Sequence, residues 1–193
     1  YATARGIYEL YLNGKRVGDE FFNPGLTQYN KTHTYQVFDV TSLLNKGQNA
    51  WGAWLSEGWW SGNITYSGDS WNYFGDRQSL LASLEIRYTD GTEQVIQTNP
   101  THWKSYSDGP IRVGSFFQGE VFDARKKAAI EGWSTTNFND KNYEDWLERR
   151  KMFYVIFSQE LQPFVKNFNP LFESKDGHHP LLLKEYLGKR ISL

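Results

Sequence analysis

Hydrophobic and polar residues alternate over short segments along much of this chain. The clearest alternation runs from residue 80 to residue 88, where one side carries Leu80, Ala82, Leu84, Ile86 and Tyr88. A period of two is the period of a β-strand with one buried face. No amphipathic helical pattern of ten residues occurs before about residue 124. The pattern therefore predicts an all-β chain of short strands.

Turn-forming residues separate the predicted strands. Asn13-Gly14 follows the apolar segment Ile7–Leu12, and Asp90-Gly91 follows the alternating segment. Both dipeptides favour tight hairpins, because Asn, Asp and Gly tolerate a positive φ. Asn23-Pro24-Gly25 predicts a further turn. Short strands joined in this way indicate an antiparallel β-sandwich or jelly roll.

Two short helices are also predicted. Asp39 is placed to cap a single helical turn. Residues 124–130 form the second candidate helix, before a polar segment that begins at Gly132-Trp133.

The sequence changes in character near residue 147. All eight Trp residues lie between positions 51 and 146, whereas residues 147–193 hold eight Lys or Arg against five Asp or Glu. Turn signals in this last part do not frame alternating strands. We therefore predict a β-sandwich over residues 1–146 and a short, partly helical, atypical C-terminal extension over residues 147–193.

The overall composition excludes some classes of partner. With 21 basic and 22 acidic residues the net charge is −1, so neither nucleic acid nor a membrane surface is an expected partner. No apolar run approaches the length of a membrane span. The absence of Cys excludes disulfides and thiolate zinc sites. The aromatic fraction of 17% is the one compositional value that points to a function.

The aromatic residues are concentrated in residues 57–77, which we call the aromatic loop. It holds three Trp, two Tyr, one Phe and four Gly, with almost no aliphatic side chains. Flat rings beside fixed polar groups suit a sugar, which has C–H faces and a rim of hydroxyls. The predicted stacking residues are Trp59, Trp60, Trp71 and Tyr73. The predicted hydroxyl-binding residues are Glu57, Asn72, Asp76 and Arg77.

A purely structural interpretation of the same loop stays open. Its aromatics would then cover one end of a sheet, and Asp76 and Arg77 would form a local pair. Trp51 and Trp54, just before the loop, are expected to face the core. Calcium is a further candidate ligand, with possible oxygen donors at Asn30, Asp69, Asn72 and Asp76.

Catalytic chemistry has little support in the sequence. Inverting glycoside hydrolysis needs two carboxyl groups across a cleft, and Glu120 and Asp123 are the most suggestive pair. Three positions apart on a strand, they would point to opposite faces. We expect them instead to pair with Arg112 or Arg125. We predict no catalytic residue and no cofactor other than calcium.

Several segments together resemble the N-terminal domain of bacterial α-L-rhamnosidases. The segments are residues 8–18 (YELYLNGKRVG), Asn23-Pro24-Gly25 with Tyr29, Asp39-Val40-Thr41 with Leu43-Leu44, Glu57-Gly58-Trp59 and residues 119–125 (GEVFDAR). Jelly-roll domains of several glycosidase families share the first half of this pattern. The Glu-Gly-Trp element and residues 119–125 make the rhamnosidases the better match.

This resemblance implies a galactose-binding-like β-sandwich beside a separate catalytic α/α-barrel, which this chain lacks. It implies a non-catalytic domain that binds L-rhamnose-containing glycans and contacts the catalytic domain of a parent glycoside hydrolase. The alternative is a packing module that supports the catalytic domain without binding sugar. The resemblance also favours a periplasmic or secreted location. Residues 147–193 are expected not to continue the family's sequence.

Overall fold

The structure is a computed structural model that describes residues 1–67, 69–99 and 102–140. Its strands are β1 (Ala2–Arg5), β2 (Ile7–Leu12), β3 (Lys15–Arg16), β4 (Trp51–Ser56), β5 (Ser79–Arg87), β6 (Glu93–Gln97), β7 (Ile111–Ser115) and β8 (Gly119–Phe122). Two 3₁₀ helices span Thr41–Leu43 and Ala124–Ile130. The predicted extension, residues 147–193, and its boundary at residue 146 lie outside the described residues.

The strands form three antiparallel sheets. Their orders are β1-β5-β6, β3-β2-β4 and β7-β8. This arrangement confirms the predicted all-β, antiparallel fold class. None of the helices in the described ranges has the length and apolar character that crossing a membrane requires.

The predicted turns occur where the sequence places them. Asn13 and Gly14 both have positive φ, 53° and 80°, and join β2 to β3 with Leu12 opposite Lys15. Gly91 has a φ of 85° between β5 and β6. The Asn23–Pro24 peptide bond is cis, and the Gly25 N–H donates to the Phe22 carbonyl at 2.9 Å.

The core lies between the sheet of β1 and β5 and the sheet of β2. Its buried apolar members are Ala2, Ala4, Tyr8, Leu10, Leu12, Val17, Leu80 and Ala82. Each fully buried Leu stabilises the fold by roughly 1.5–3 kcal/mol relative to its exposed state. Trp51 packs against this core and meets the Trp103 ring edge-on at 5.0 Å.

Burial on β5 differs from the prediction of one buried side. Leu80, Ala82 and Leu84 are buried as expected, but Tyr88 is exposed. Ser83 and Glu85, on the opposite face, are buried as well. The alternation of polar and apolar residues shows which face of a strand is apolar. It does not show whether other parts of the chain cover the polar face. On β5 both faces are covered.

Trp54 also departs from its predicted place in the core. Residues three apart on a strand point to opposite faces, so Trp54 lies on the other side of β4 from Trp51. Trp133, which follows the second 3₁₀ helix, covers it with a centroid distance of 5.7 Å. Trp54 is therefore half-buried outside the main core.

An Asp carboxylate accepts a backbone N–H at the start of each short helix, which the sequence predicted for Asp39 alone. The Asp39 carboxylate accepts a hydrogen bond from the Thr41 N–H at 2.9 Å. Asp123 accepts one from the Arg125 N–H at 3.1 Å, at the start of the second helix. The bounds of that helix are the predicted ones.

Candidate functional site

The aromatic loop connects β4 to β5 and is anchored by a buried tryptophan. Trp60 is only 7% exposed. Its ring packs near Tyr29 at 5.5 Å and Phe74 at 6.2 Å, and the Arg5 guanidinium lies 4.9 Å from its centroid. These contacts leave no ring face for a sugar, which argues against the stacking role predicted for Trp60.

A buried histidine belongs to the same interior cluster. His33 is 4% exposed and lies 5.3 Å from the Tyr29 ring and 6.0 Å from the Trp60 ring. Burial and, secondarily, the positive charge of Arg5 lower the pKa of His33 to about 4. The histidine is therefore neutral near pH 7. Burial also raises the pKa of the Tyr29 hydroxyl to about 12.

Two hydrogen bonds between Asn72 and Gly62, which we call the Asn72–Gly62 clasp, hold the outer half of the aromatic loop. The Asn72 side-chain oxygen accepts a hydrogen bond from the Gly62 N–H at 2.7 Å, and the Asn72 N–H donates to the Gly62 carbonyl at 2.7 Å. An isolated antiparallel bridge joins Asn63 to Trp71. Asn72 adopts a left-handed φ of 53°, which Asn tolerates better than most residues. The amide predicted to bind hydroxyls is thus engaged in holding the loop.

The clasp presents two exposed rings on either side of Asn72. Trp71 and Tyr73 are each 69% exposed. The Tyr73 ring meets the half-buried Phe74 ring edge-on at 4.8 Å, and Phe74 contacts the anchored Tyr29 and Trp60. A continuous set of ring contacts therefore connects the exposed Tyr73 to the interior.

The other predicted site residues have mixed environments. Glu57 accepts a hydrogen bond from the Ser56 hydroxyl at 2.8 Å. Trp59 is half-buried against Phe116, with ring centroids 4.4 Å apart. Asp76 and Arg77 are exposed and form a long ion pair of 3.9 Å, which agrees with the alternative of a local pair.

Tyr66 is an exposed ring of the loop that the prediction of stacking residues omitted. It is 86% exposed, and one edge contact at 5.0 Å joins it to Phe117. The aromatic composition of the loop was the only signal that could have included it. Exposure of an aromatic ring depends on contacts with distant residues, which composition does not reveal.

The predicted calcium donors include one residue whose side-chain oxygen already has a partner. Asn72 directs its oxygen at the Gly62 N–H, and across the described ranges no group of three or more His, Cys, Asp or Glu side chains comes together. Asn30, Asp69 and Asp76 are exposed. The calcium site therefore stays a prediction, and its Asn72 donor would have to give up the hydrogen bond from the Gly62 N–H.

Glu120 and Asp123, the carboxylate pair considered for catalysis, have different surroundings. Arg125 binds Asp123 through two hydrogen bonds of 2.8 Å, which hold the pKa of that carboxyl at about 2. This is the pairing expected from the sequence. Glu120 is exposed on β8.

Comparisons with known proteins identify relatives of one kind. A family model described as the α-L-rhamnosidase N-terminal domain matches residues 1–167. An α-L-rhamnosidase from Streptomyces avermitilis is 44% identical over 141 residues, which are 73% of this chain and 13% of that protein. One from Formosa agariphila is 35% identical over 146 residues, which are 75% of this chain and 15% of that protein.

Solved structures give the same result. The crystal structure of the Streptomyces avermitilis α-L-rhamnosidase complexed with L-rhamnose matches with a TM-score of 0.68 and 42% identity, over 74% of this chain and 13% of that one. The native enzyme from Aspergillus terreus matches with a TM-score of 0.69 and 39% identity, over 74% and 16% of the two chains. This chain thus spans only a small part of these relatives.

The family match also bears on the C-terminal residues. It continues past the predicted boundary at residue 146 to residue 167. For residues 147–167 this argues against the expectation that the family's sequence stops at the boundary.

Proposed function

This chain belongs to the family of α-L-rhamnosidase N-terminal domains, and on that premise we propose that it binds L-rhamnose-containing glycans through the aromatic loop. The family is an accessory part of glycoside hydrolases, and the matched region is 13–16% of the relatives' length. Hydrolysis is assigned in this proposal to the parts of a parent enzyme outside the matched region.

The observation that carries the proposal is the exposure of Trp71 and Tyr73 on a fixed support. An aromatic side chain that is 69% exposed gains little from burial within its own domain. The Asn72–Gly62 clasp and the Phe74 contact nevertheless hold both residues in place. Rings that are fixed before binding lose less conformational entropy when a ligand stacks on them.

Polar groups beside the rings supply the second element of sugar recognition. Asp76 and Arg77 are exposed within four residues of Tyr73, and their ion pair of 3.9 Å is long enough to open at small cost. Charged groups form the stronger hydrogen bonds to hydroxyls. L-rhamnose is the first ligand to test, because the related Streptomyces avermitilis structure contains it.

The test is calorimetric titration of the 193-residue chain with L-rhamnose and with a rhamnose-containing oligosaccharide, with and without calcium. Trp71→Ala and Tyr73→Ala should each weaken binding at least about tenfold, the equivalent of 1.4 kcal/mol. Tyr88→Ala is the matched control, because Tyr88 is an exposed ring on the separate β5–β6 hairpin. No heat of binding in any titration, or equal losses for the control, would reject the proposal.

A further inference from the structure

The β7–β8 ribbon is a two-stranded sheet that pairs with no other strand of the described residues. All four residues of β8 and the first three of β7 are exposed. Four of them are apolar: Ile111, Val113, Val121 and Phe122, at 39%, 36%, 55% and 51% exposure. Isolated two-stranded ribbons are marginally stable in water, so this one needs a support.

The support within the described part of the chain reaches only the turn end of the ribbon. The Ser56 hydroxyl hydrogen is shared between Glu57, at 2.8 Å, and the Gly114 carbonyl, at 3.1 Å. Next to it, the Phe116 ring lies 4.4 Å from Trp59 and the Phe117 ring 5.0 Å from Tyr66. The opposite end, where the four apolar residues lie, has no comparable ring contact within the described ranges.

The cross-strand register places apolar pairs on both faces of that end. Val113 is opposite Val121 and Ile111 is opposite Phe122, with an irregularity in β7 between the two pairs. Directly opposed residues share a face, and neighbouring residues such as Val121 and Phe122 point to opposite faces. A ribbon that is apolar on both faces resembles a strand pair intended for burial rather than a solvent-facing hairpin.

Two exposed phenylalanines lie near the turn end of the ribbon. Phe21 and Phe22 are 67% and 54% exposed, and Phe22 meets Phe116 at 5.0 Å. Phe22 also has a left-handed φ of 63°, which is uncommon for a bulky residue.

We propose that the apolar end of the ribbon, which carries Ile111, Val113, Val121 and Phe122 on its two faces, is a docking surface for an adjoining, apolar domain of the same longer polypeptide. We call it the ribbon surface. The proposal goes beyond sugar binding and does not depend on it. Apolar areas of this kind on soluble domains mark interaction sites.

The small share of the relatives' length that this chain matches favours an occupant that belongs to the same polypeptide. The chain spans 13–16% of its relatives, so a domain of this family is joined to a much larger remainder. Linkage raises the effective concentration of the two parts to about the millimolar range, so a modest apolar contact suffices for docking. A sugar is disfavoured as the occupant, because Ile111, Val113 and Val121 are aliphatic and offer no flat face for stacking beside Phe122.

Charge does not offer a competing explanation for this surface. Arg112 pairs with Asp108 at 2.9 Å, and Arg125 pairs with Asp123 at 2.8 Å. These two arginines are thus matched locally, whereas Glu120 on β8 is exposed. The four apolar side chains outnumber this carboxylate at the end of the ribbon that a partner would contact.

The experiment uses the absence of Cys in this chain. Val121→Cys reports on the ribbon surface, and Val95→Cys is the control, because Val95 is 50% exposed on edge strand β6. Each variant is labelled with a thiol reagent in the 193-residue chain. It is then labelled in a chimera that carries residues 1–167 in place of the matching domain of the Streptomyces avermitilis enzyme. Mass spectrometry quantifies each labelled peptide.

We expect the two cysteines to react at similar rates in the isolated chain. In the chimera, Val121→Cys should react at least about tenfold more slowly while Val95→Cys is unchanged. Equal rates in the chimera would overturn the proposal. Protection of Val121→Cys in the isolated chain would overturn it too. Protection that is independent of protein concentration would assign the ribbon surface to residues 141–193. Protection that increases with protein concentration would assign it to a second copy of the chain.

A second measurement does not depend on the chimera. In the isolated chain, Phe122→Ser should leave the unfolding temperature unchanged and reduce binding of an apolar dye. A fall of more than about 4 °C, the equivalent of 1 kcal/mol or more, would show that Phe122 packs within its own chain and would overturn the proposal.

Discussion

Asn72 and Gly62 exchange two hydrogen bonds of 2.7 Å, one from the Gly62 N–H to the Asn72 side chain and one from the Asn72 N–H to the Gly62 carbonyl. This pair closes the outer half of the aromatic loop and fixes Trp71 and Tyr73 on either side of Asn72. The exposed rings owe their position to the pair, because neither ring is itself buried.

Asn72→Ala tests that relationship. Ala loses the side-chain hydrogen bond and is poorly suited to a φ of 53°, so the free energy of unfolding should fall by about 1–2 kcal/mol in urea titrations. Asn72→Gly keeps the left-handed backbone and loses only the amide, so its loss should be smaller. Equal stabilities for wild type and Asn72→Ala would mean that the clasp contributes nothing.

Gly14→Val tests the first hairpin. A Cβ at this position meets a φ of 80° and lies 3.2 Å from the Thr135 methyl group, so we expect a loss of about 1–3 kcal/mol in the free energy of unfolding. Gly91→Val is the matched control for backbone strain, because Gly91 has a φ of 85° and open space around it. Thermal and urea unfolding give both values. An unchanged melting temperature for Gly14→Val would contradict the strain argument.

Trp60→Ala and Trp71→Ala should differ strongly although the two residues belong to one loop. Trp60 is 7% exposed, so its removal leaves a cavity and should cost about 3–5 kcal/mol. Trp71 is 69% exposed, so its removal should change stability by less than about 0.5 kcal/mol. Urea unfolding measures both. Similar losses for the two variants would show that Trp71 is buried in solution.

His33 should make stability depend on acid pH. Its folded-state pKa of about 4 lies below the ordinary value of 6.5, so between these values the unfolded chain binds more protons. Stability should therefore fall as the pH drops from 6.5 towards 4, by up to roughly 3 kcal/mol from this residue. The slope of unfolding free energy against pH should be flatter in His33→Asn. An equally steep slope in His33→Asn would contradict this prediction.

The sequence alone predicted the elements whose cause is local. Asn13-Gly14 and Asp90-Gly91 form hairpins because the tolerance of a positive φ is a property of those residue types. Asp39 binds the first turn of a short helix because its carboxylate reaches a backbone N–H two residues away. The alternation from residue 80 to residue 88 predicted β5. The short strands with turn signals between them predicted the sandwich, which the family resemblance also implied.

Only the tertiary structure decided which residues of the aromatic loop are available to a ligand. Trp60 and Trp71 look alike in the sequence, but Tyr29 and Arg5, contributed by distant segments, surround the first and leave the second in solvent. The same holds for β8. Val121 and Phe122 are apolar residue types that are expected to be buried, but both are exposed on the ribbon. Local preference is set by a residue and its neighbours along the chain, whereas burial is set by residues that only folding brings close.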